Sequence, residues 1–308
     1  MEFYHKPVLL EETLEVLNPQ PDGIYVDGTA GGGGHSEAIA RQLSSGRLIA
    51  IDRDPDALAA ARERLKPYPQ ATVCAGNFAD MRRILDEQGI AWVDGILLDL
   101  GVSSHQLDTQ QRGFSFHADA PLDMRMSQSG ETAAQLIARL PETELTRVLF
   151  EYGEEKFARR IAAAIVRQRE EQPITTTLQL AELVKNAVPA AARREGHPAR
   201  KTFQAFRIAV NAELDSLSAA LDAVAQCLKI GGVIAVITFH SLEDRMVKQR
   251  FAQWYQGCTC PPDFPICVCG NTPFAQPVIR KPIEAGEEEL RENPRSRSAK
   301  LRAARRMR

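Results

Sequence analysis

Three aspartates, each ending an apolar run, are the residues of this chain best placed for chemistry. Ile24-Tyr25-Val26 delivers Asp27 into Gly28-Thr29-Ala30-Gly31-Gly32-Gly33-Gly34-His35-Ser36. Leu48-Ile49-Ala50-Ile51 ends at Asp52, and Ile96-Leu97-Leu98 ends at Asp99. A strand, a glycine loop and then a helix is how nucleotide-like cofactors are held: glycine accepts φ > 0, and without Cβ the backbone N–H groups approach a ligand closely. An acid about twenty residues further on suits the hydroxyls of an adenosine ribose. Asp52 is expected in that role.

The loop narrows the cofactor. A dinucleotide fingerprint reads G-x-G-x-x-G; Gly31 and Gly33 fit its first two glycines, but its third position is Ser36. S-adenosylmethionine carries no pyrophosphate, and its methyltransferases tolerate looser loops that open with an acid. Asp27 can meet the positive amino group of the methionine part, or the backbone near it. The loop favours S-adenosyl-L-methionine, with a dehydrogenase as the competing reading. Carboxyl ends of parallel strands face the cofactor crevice, so Asp99 is expected beside the reactive centre. Methyl transfer from a sulfonium is an in-line displacement that needs an aligned nucleophile. Asp99 can align an exocyclic amine by accepting its N–H; the alternative is a cap on the next turn.

Two further groups stand out. His240-Ser241-Leu242-Glu243-Asp244 follows a strong apolar run. Its local spacing and the absence of a nucleophile-elbow pattern argue against a hydrolase triad. A substrate-facing loop with His240 near a target base is the expectation, and an exposed turn is the alternative. Cys258-Thr259-Cys260 and Cys267-Val268-Cys269 bracket a proline-rich turn. Four thiolates could hold Zn²⁺, but C-x-C is tighter than the usual knuckle. Zinc, thiols without metal and redox chemistry all stay open, and no metal is assigned.

The elements that must position these residues follow from periodicity. Strands are predicted at 24–27, 47–52, 71–75 and 93–99, separated by helices at about 36–44, 55–65 and 79–88. That alternation predicts a parallel, doubly wound α/β sheet. From about 107 to 200 the pattern is helical. Leu145, Val148, Leu149 and Tyr152 form one stripe, with Gly153 able to end its helix; Phe157, Ile161, Ala164 and Ile165 form a second; Leu180, Leu183, Val184 and Ala187 form a third. Apolar residues from Phe203 to Leu228 predict one long helix, and Val233–Phe239 resumes the sheet. The expected organisation is a first catalytic part at 1–106, an inserted helical substrate-recognition domain at 107–200, and a second catalytic part at 201–308 with a basic tail.

Composition sets the bounds. The chain has 308 residues, 44% hydrophobic and 25% charged, which suits a soluble globular protein with room for an added domain. No apolar stretch nears the ~20 residues of a membrane span, so no membrane partner is expected. The six cysteines then fit a cytoplasmic location better than a disulfide framework. A net charge of −2 does not announce a nucleic-acid binder, but charge is uneven. Arg291, Arg295, Arg297, Lys300, Arg302, Arg305, Arg306 and Arg308 crowd the C-terminus, and Arg193, Arg194, His197, Arg200 and Lys201 lie where the insertion rejoins the sheet. Such clusters can neutralise phosphates. A final strand is expected within 298–303, leaving Arg305–Arg308 beyond it.

Taken together, these motifs resemble those of the bacterial small-subunit (16S) rRNA cytosine-N4 methyltransferases, the RsmH or MraW family. Besides Asp27–Ser36 the matches include Ala50–Asp54, Leu98–Ser104, Arg112–Phe116, Pro121–Met126, Tyr152–Glu155, Thr202–Arg207, Phe239–Arg245 and Glu292–Ser298. They run from His5 to the C-terminus. The resemblance implies a class I, Rossmann-like methyltransferase with an inserted helical domain, acting on N4 of a cytosine in the decoding centre of 16S rRNA. It implies cofactor contacts from Gly33, Gly34, His35, Asp52, Phe78, Asp99 and Gln106, and 16S rRNA or the small ribosomal subunit as partner. The rivals are a DNA or protein methyltransferase on the same fold, and a non-catalytic RNA-binding assembly factor.

Overall fold

The structure is a computed structural model that describes residues 7–190, 193, 197–260, 266 and 268–308. Arg194 of the basic cluster and Cys267 of the cysteine pairs lie outside the described residues. The chain divides into two compact units, Met1–Gly101 with Asp215–Arg308, and Val102–Leu214.

In chain order the first unit opens with α1 (Leu10–Leu17), β1 (Ile24–Asp27), α2 (Gly34–Ala40), β2 (Arg47–Asp52), α3 (Pro55–Leu65), β3 (Ala71–Ala75), α4 (Met81–Glu87) and β4 (Val93–Asp99). The second unit holds α5 (Ser104–Asp108), α6 (Ala133–Arg139), α7 (Glu142–Gly153), α8 (Ala158–Glu171), α9 (Thr177–Ala187) and α10 (Arg200–Asn211). After α11 (Glu213–Cys227) come β5 (Leu228–Thr238), α12 (Ser241–Tyr255), β6 (Ala275–Pro277), β7 (Ile283–Glu284), α13 (Glu287–Glu292) and β8 (Lys300–Arg306).

The strands form one sheet in the order β3-β2-β1-β4-β5-β8-β6, with β7 also paired to β8. Strands β1 to β5 are parallel, and β8 runs antiparallel to β5, β6 and β7. Both faces are covered, which is why β2 reads as an unbroken apolar run. Its Ile49 and Ile51 face one core with Met81, Ile84 and Leu85 of α4 and Leu217, Leu221 and Val224 of α11. Its Leu48 and Ala50 face the opposite core with Val16 and Leu17 of α1, Ile39 of α2 and Ala61 and Leu65 of α3. Strand order reverses between β1 and β4, where Asp27 pairs with Leu97. A crevice for a ligand opens outside the carboxyl ends of the strands at such a switch point.

The second unit has its own apolar core, drawn from the buried stripes of α6 to α10. Pro121 and Thr176 make an isolated bridge there, and no strand occurs among its described residues. Two of the motifs named above are framework in this unit. Arg112 is buried and donates to the Arg125 and Met126 carbonyls. Gly113 sits at φ +70, and a Cβ there would lie 2.3 Å from the Pro121 carbonyl oxygen.

Two expectations need correction, and a third gains its physical reason. The predicted long helix is two: the chain turns at Ala212, φ +48. The adjacent Asn211 side chain donates to the Met124 carbonyl and accepts from the Met126 N–H, bonds that fix the helix end. Gly153 does end α7, but the left-handed residue is Glu154, φ +47; glycine is needed at 153 because a Cβ would meet the Lys201 carbonyl oxygen at 2.8 Å. The last strand reaches Arg306, so Arg305–Arg308 is no free tail: Arg305 pairs with Val233 and Arg306 with Ala275. The Arg306 guanidinium lies over the Trp92 and Phe274 rings and donates to the Leu228 and Ala225 carbonyls. Arg302 holds Asp244 through two hydrogen bonds. Cutting before Arg305 therefore removes ladder partners as well as charge.

Candidate active site

The sheet brings Asp27, Asp52 and Asp99 to the carboxyl ends of β1, β2 and β4, neighbours in the order β2-β1-β4. Each is held differently. Asp27 is buried; its carboxylate accepts from Ser36 Oγ at 2.6 Å and from the Thr29 N–H at 3.1 Å. It therefore ties the glycine loop to its own strand. Burial pushes its carboxyl up to about 6 against those two bonds. Ser36, in the third glycine position of a dinucleotide pattern, is the residue that closes this loop.

Asp52 clamps the loop from the side. It accepts from the Gly31 N–H at 2.8 Å and the Asp54 N–H at 2.9 Å, one on each oxygen. Burial raises its carboxyl despite these donors. Gly31 is at φ +52 and Gly33 at φ +80, and no L side chain adopts either readily. Gly34 is needed for packing, since a Cβ there would come 2.4 Å from Pro7 Cγ. Phe78 follows β3 and borders the start of the loop, where a Cβ on Gly28 would lie 3.0 Å from the Phe78 Cβ.

Asp99 is half-buried at the end of β4. Its backbone N–H donates to Thr29 Oγ1 at 2.6 Å, fixing the strand end against the loop. Its Oδ1 is buried and has no hydrogen-bond partner among the described residues. Burial, reinforced by the charges of Asp27 and Glu243, pushes its carboxyl well above the usual range. Asp99 Oδ2 lies 3.6 Å from His35 Nδ1. The other ring nitrogen of His35, Nε2, is 3.0 Å from the Val8 carbonyl oxygen. A carbonyl only accepts, so Nε2 carries the hydrogen and Nδ1 offers a lone pair. Burial lowers this imidazole to about 4, so it stays neutral and brings no cation to Asp99.

His240 caps α12: its Nδ1 accepts from the Glu243 N–H at 3.4 Å, while Glu243 Oε2 accepts from the Phe239 and His240 N–H groups. The side chain is 10% exposed, so an exposed turn does not describe it. Its Nε2 lies 3.1 Å from Glu243 Oε1 without hydrogen-bond geometry, and is buried. Gln106 belongs to the second unit, where it forms a capping box with Ser103 at the start of α5. Periodicity pointed to none of the supporting residues Thr29, Ser36 and Glu243. Glu243 had a signal, the acid three residues after a cap position.

A cation fits here. The charges of Asp27 and Glu243 both act against the charged form of Asp99, whose Oδ1 is buried without a partner among the described residues. A sulfonium or ammonium relieves that repulsion, and an amine N–H satisfies the oxygen. Five parallel strands closed by an antiparallel β8 between β5 and β6, with acids ending β1, β2 and β4, define a class I S-adenosylmethionine-dependent methyltransferase. Residues 2–307 match the MraW methylase family. The chain is 55% identical to the ribosomal RNA small subunit methyltransferase H of Symbiobacterium thermophilum, covering 98% of this chain and 96% of that one. It is 55% identical to the protein of the same name from Heliobacterium mobile, covering 99% of each. An rRNA methylase structure from Streptococcus thermophilus overlaps all of both chains at 8% identity and a TM-score of 0.43. This chain belongs to the MraW methylase family. Among its described residues no helix is long and apolar enough to cross a membrane.

Proposed function

We propose that the protein methylates N4 of a cytosine in the decoding centre of 16S rRNA, with S-adenosyl-L-methionine as methyl donor. The observation that carries the reading is the buried, unpartnered Oδ1 of Asp99 at the strand switch point. Family membership supports the substrate class.

The exocyclic amine of cytosine is a poor nucleophile because its lone pair is delocalised into the ring. Asp99 accepts one of its N–H bonds and turns the lone pair toward the donor methyl; the same carboxylate is the first acceptor for the proton that leaves. The cofactor supplies a methyl group on a sulfonium. The glycine loop with Gly33, Gly34 and His35 forms its bed, Asp52 receives the ribose hydroxyls and Phe78 packs on adenine. With Nδ1 of His240 accepting from the Glu243 N–H, the ring's hydrogen lies on Nε2. We assign that N–H to the target base, which must be out of its stack to be reached.

Labelled methyl transfer to free 16S rRNA, small subunits and DNA, followed by nucleoside analysis, tests the reading. Label in N4-methylcytidine of rRNA is expected; label only in DNA or protein, or none, overturns it. At Phe78, replacement by Leu is expected to weaken cofactor binding by about 0.5–1.5 kcal/mol, the contribution of aromatic stacking beyond buried area. Calorimetry showing wild-type affinity would take Phe78 off the adenine.

A further inference from the structure

The connection from α12 to β6, residues 256–274, has no helix or strand among its described residues. Described residues with no helix or strand need something other than a ladder to order them. Phe274 packs on Trp254 at the far end, but Ile266 and Val268 are each 73% exposed. What converges instead is sulfur. The Sγ atoms of Cys258, Cys260 and Cys269 lie within 4.8 Å of one another, and those of Cys258 and Cys269 are 3.6 Å apart.

That spacing is too long for a disulfide, whose S–S bond is about 2.05 Å. It is close to the edge of a zinc–thiolate tetrahedron, about 3.8 Å for Zn–S bonds of about 2.3 Å. The backbone is arranged around sulfurs as acceptors. The Thr259 and Asn271 N–H groups both donate to Cys269 Sγ, and the Val268 N–H donates to Cys260 Sγ, each at 3.4 Å. Gly270 makes the Asn271 bond possible: at φ +61 it turns the chain back on Cys269. The Asn271 side chain then donates to the Gly257 carbonyl at 2.7 Å, closing the two ends of the connection on each other. The thiolate is the form of cysteine that binds metal.

We propose that Cys258, Cys260 and Cys269 bind one structural Zn²⁺ that ties the ends of this connection together. Soft thiolate donors select zinc over the hard cations. Each thiol gives its proton to solvent as the metal binds, and no electron changes hands. Cys267 lies outside the described residues and enters no part of the geometry. The proposal is independent of the assigned reaction, since none of these residues takes part in it.

The test uses the full-length protein, purified with a thiol reductant and without chelator from zinc-supplemented medium. Elemental analysis is expected to find about one zinc per chain. Replacing the metal with Co²⁺ is expected to give tetrahedral visible bands and a thiolate charge-transfer band. Cys258→Ser with Cys269→Ser is expected to lose the metal and both spectral features while keeping wild-type cofactor affinity. Zinc below about a tenth of an equivalent, with no uptake of added Zn²⁺, overturns the proposal. So does zinc retained by the double variant, or a metal-free wild type that shows fewer than the six thiols of its sequence when titrated unfolded without reductant. If the double variant does not fold, the wild-type Co²⁺ spectrum decides, and absence of the charge-transfer band overturns the site.

Discussion

Asp99→Ala is expected to lower single-turnover methyl transfer by about 10²–10⁴-fold, the usual contribution of a positioned acid or base. Binding of RNA should fall far less than the rate, because the lost interaction with the amine matters most in the transition state. Asp99→Asn keeps the shape and loses the acceptor charge, and should be nearly as slow. The pH profile separates this role from a structural one. A carboxylate that must accept works only when deprotonated, so the rate falls as pH falls. Because burial and the Asp27 and Glu243 charges raise the Asp99 carboxyl, that fall should begin at higher pH than for an ordinary aspartate. His35, held near 4, is not the titrating group over that range. Asp27, near 6, is the other candidate. If the acidic limb persists in Asp99→Asn, Asp27 governs it; if Asp99→Ala keeps a near-wild-type rate, another group orients the amine.

The strand ends were legible because both faces of the sheet are buried. Four apolar runs, 24–27, 47–52, 71–75 and 93–99, coincide with β1 to β4, and the acids that end three of them fall where a parallel sheet must put them. The start of β5 was not legible. Gly231 and Gly232 read as a break before Val233, yet the strand begins at Leu228 and bulges across them: Leu228 pairs with Val93, and pairing resumes at Gly95 with Val233. The three acids could be read as candidates, but not what each side chain does. The bond from Ser36 to Asp27, the support of Asp99 by Thr29 and the cap made by His240 depend on contacts between loops that periodicity does not encode. His240 is the clearest case. The acid at 243 is a capping-box signal, but histidine is not among the usual cap residues. The basic tail has a related illegible part: charge alone does not show that Arg302 and Arg306 bind the protein itself.

Asp52→Ala is expected to weaken S-adenosylhomocysteine binding by about 1.5–3 kcal/mol, the range for a hydrogen bond to a charged group. The loss alone does not identify a ribose contact, because Asp52 also receives the Gly31 and Asp54 N–H groups. Removing it leaves the loop without its clamp, and a displaced loop would weaken any ligand. A cycle with the ligand separates the two. If Asp52 accepts from a ribose hydroxyl, an analogue lacking that hydroxyl has already lost the bond, and the mutation costs it much less than it costs the parent ligand. If the cost is loop distortion only, it is the same for both ligands. Calorimetry on wild type and variant with the parent compound and its 2′- and 3′-deoxy forms gives the coupling energy directly. Additive losses for both deoxy forms would remove Asp52 from the ribose and leave it as the residue that shapes the glycine loop.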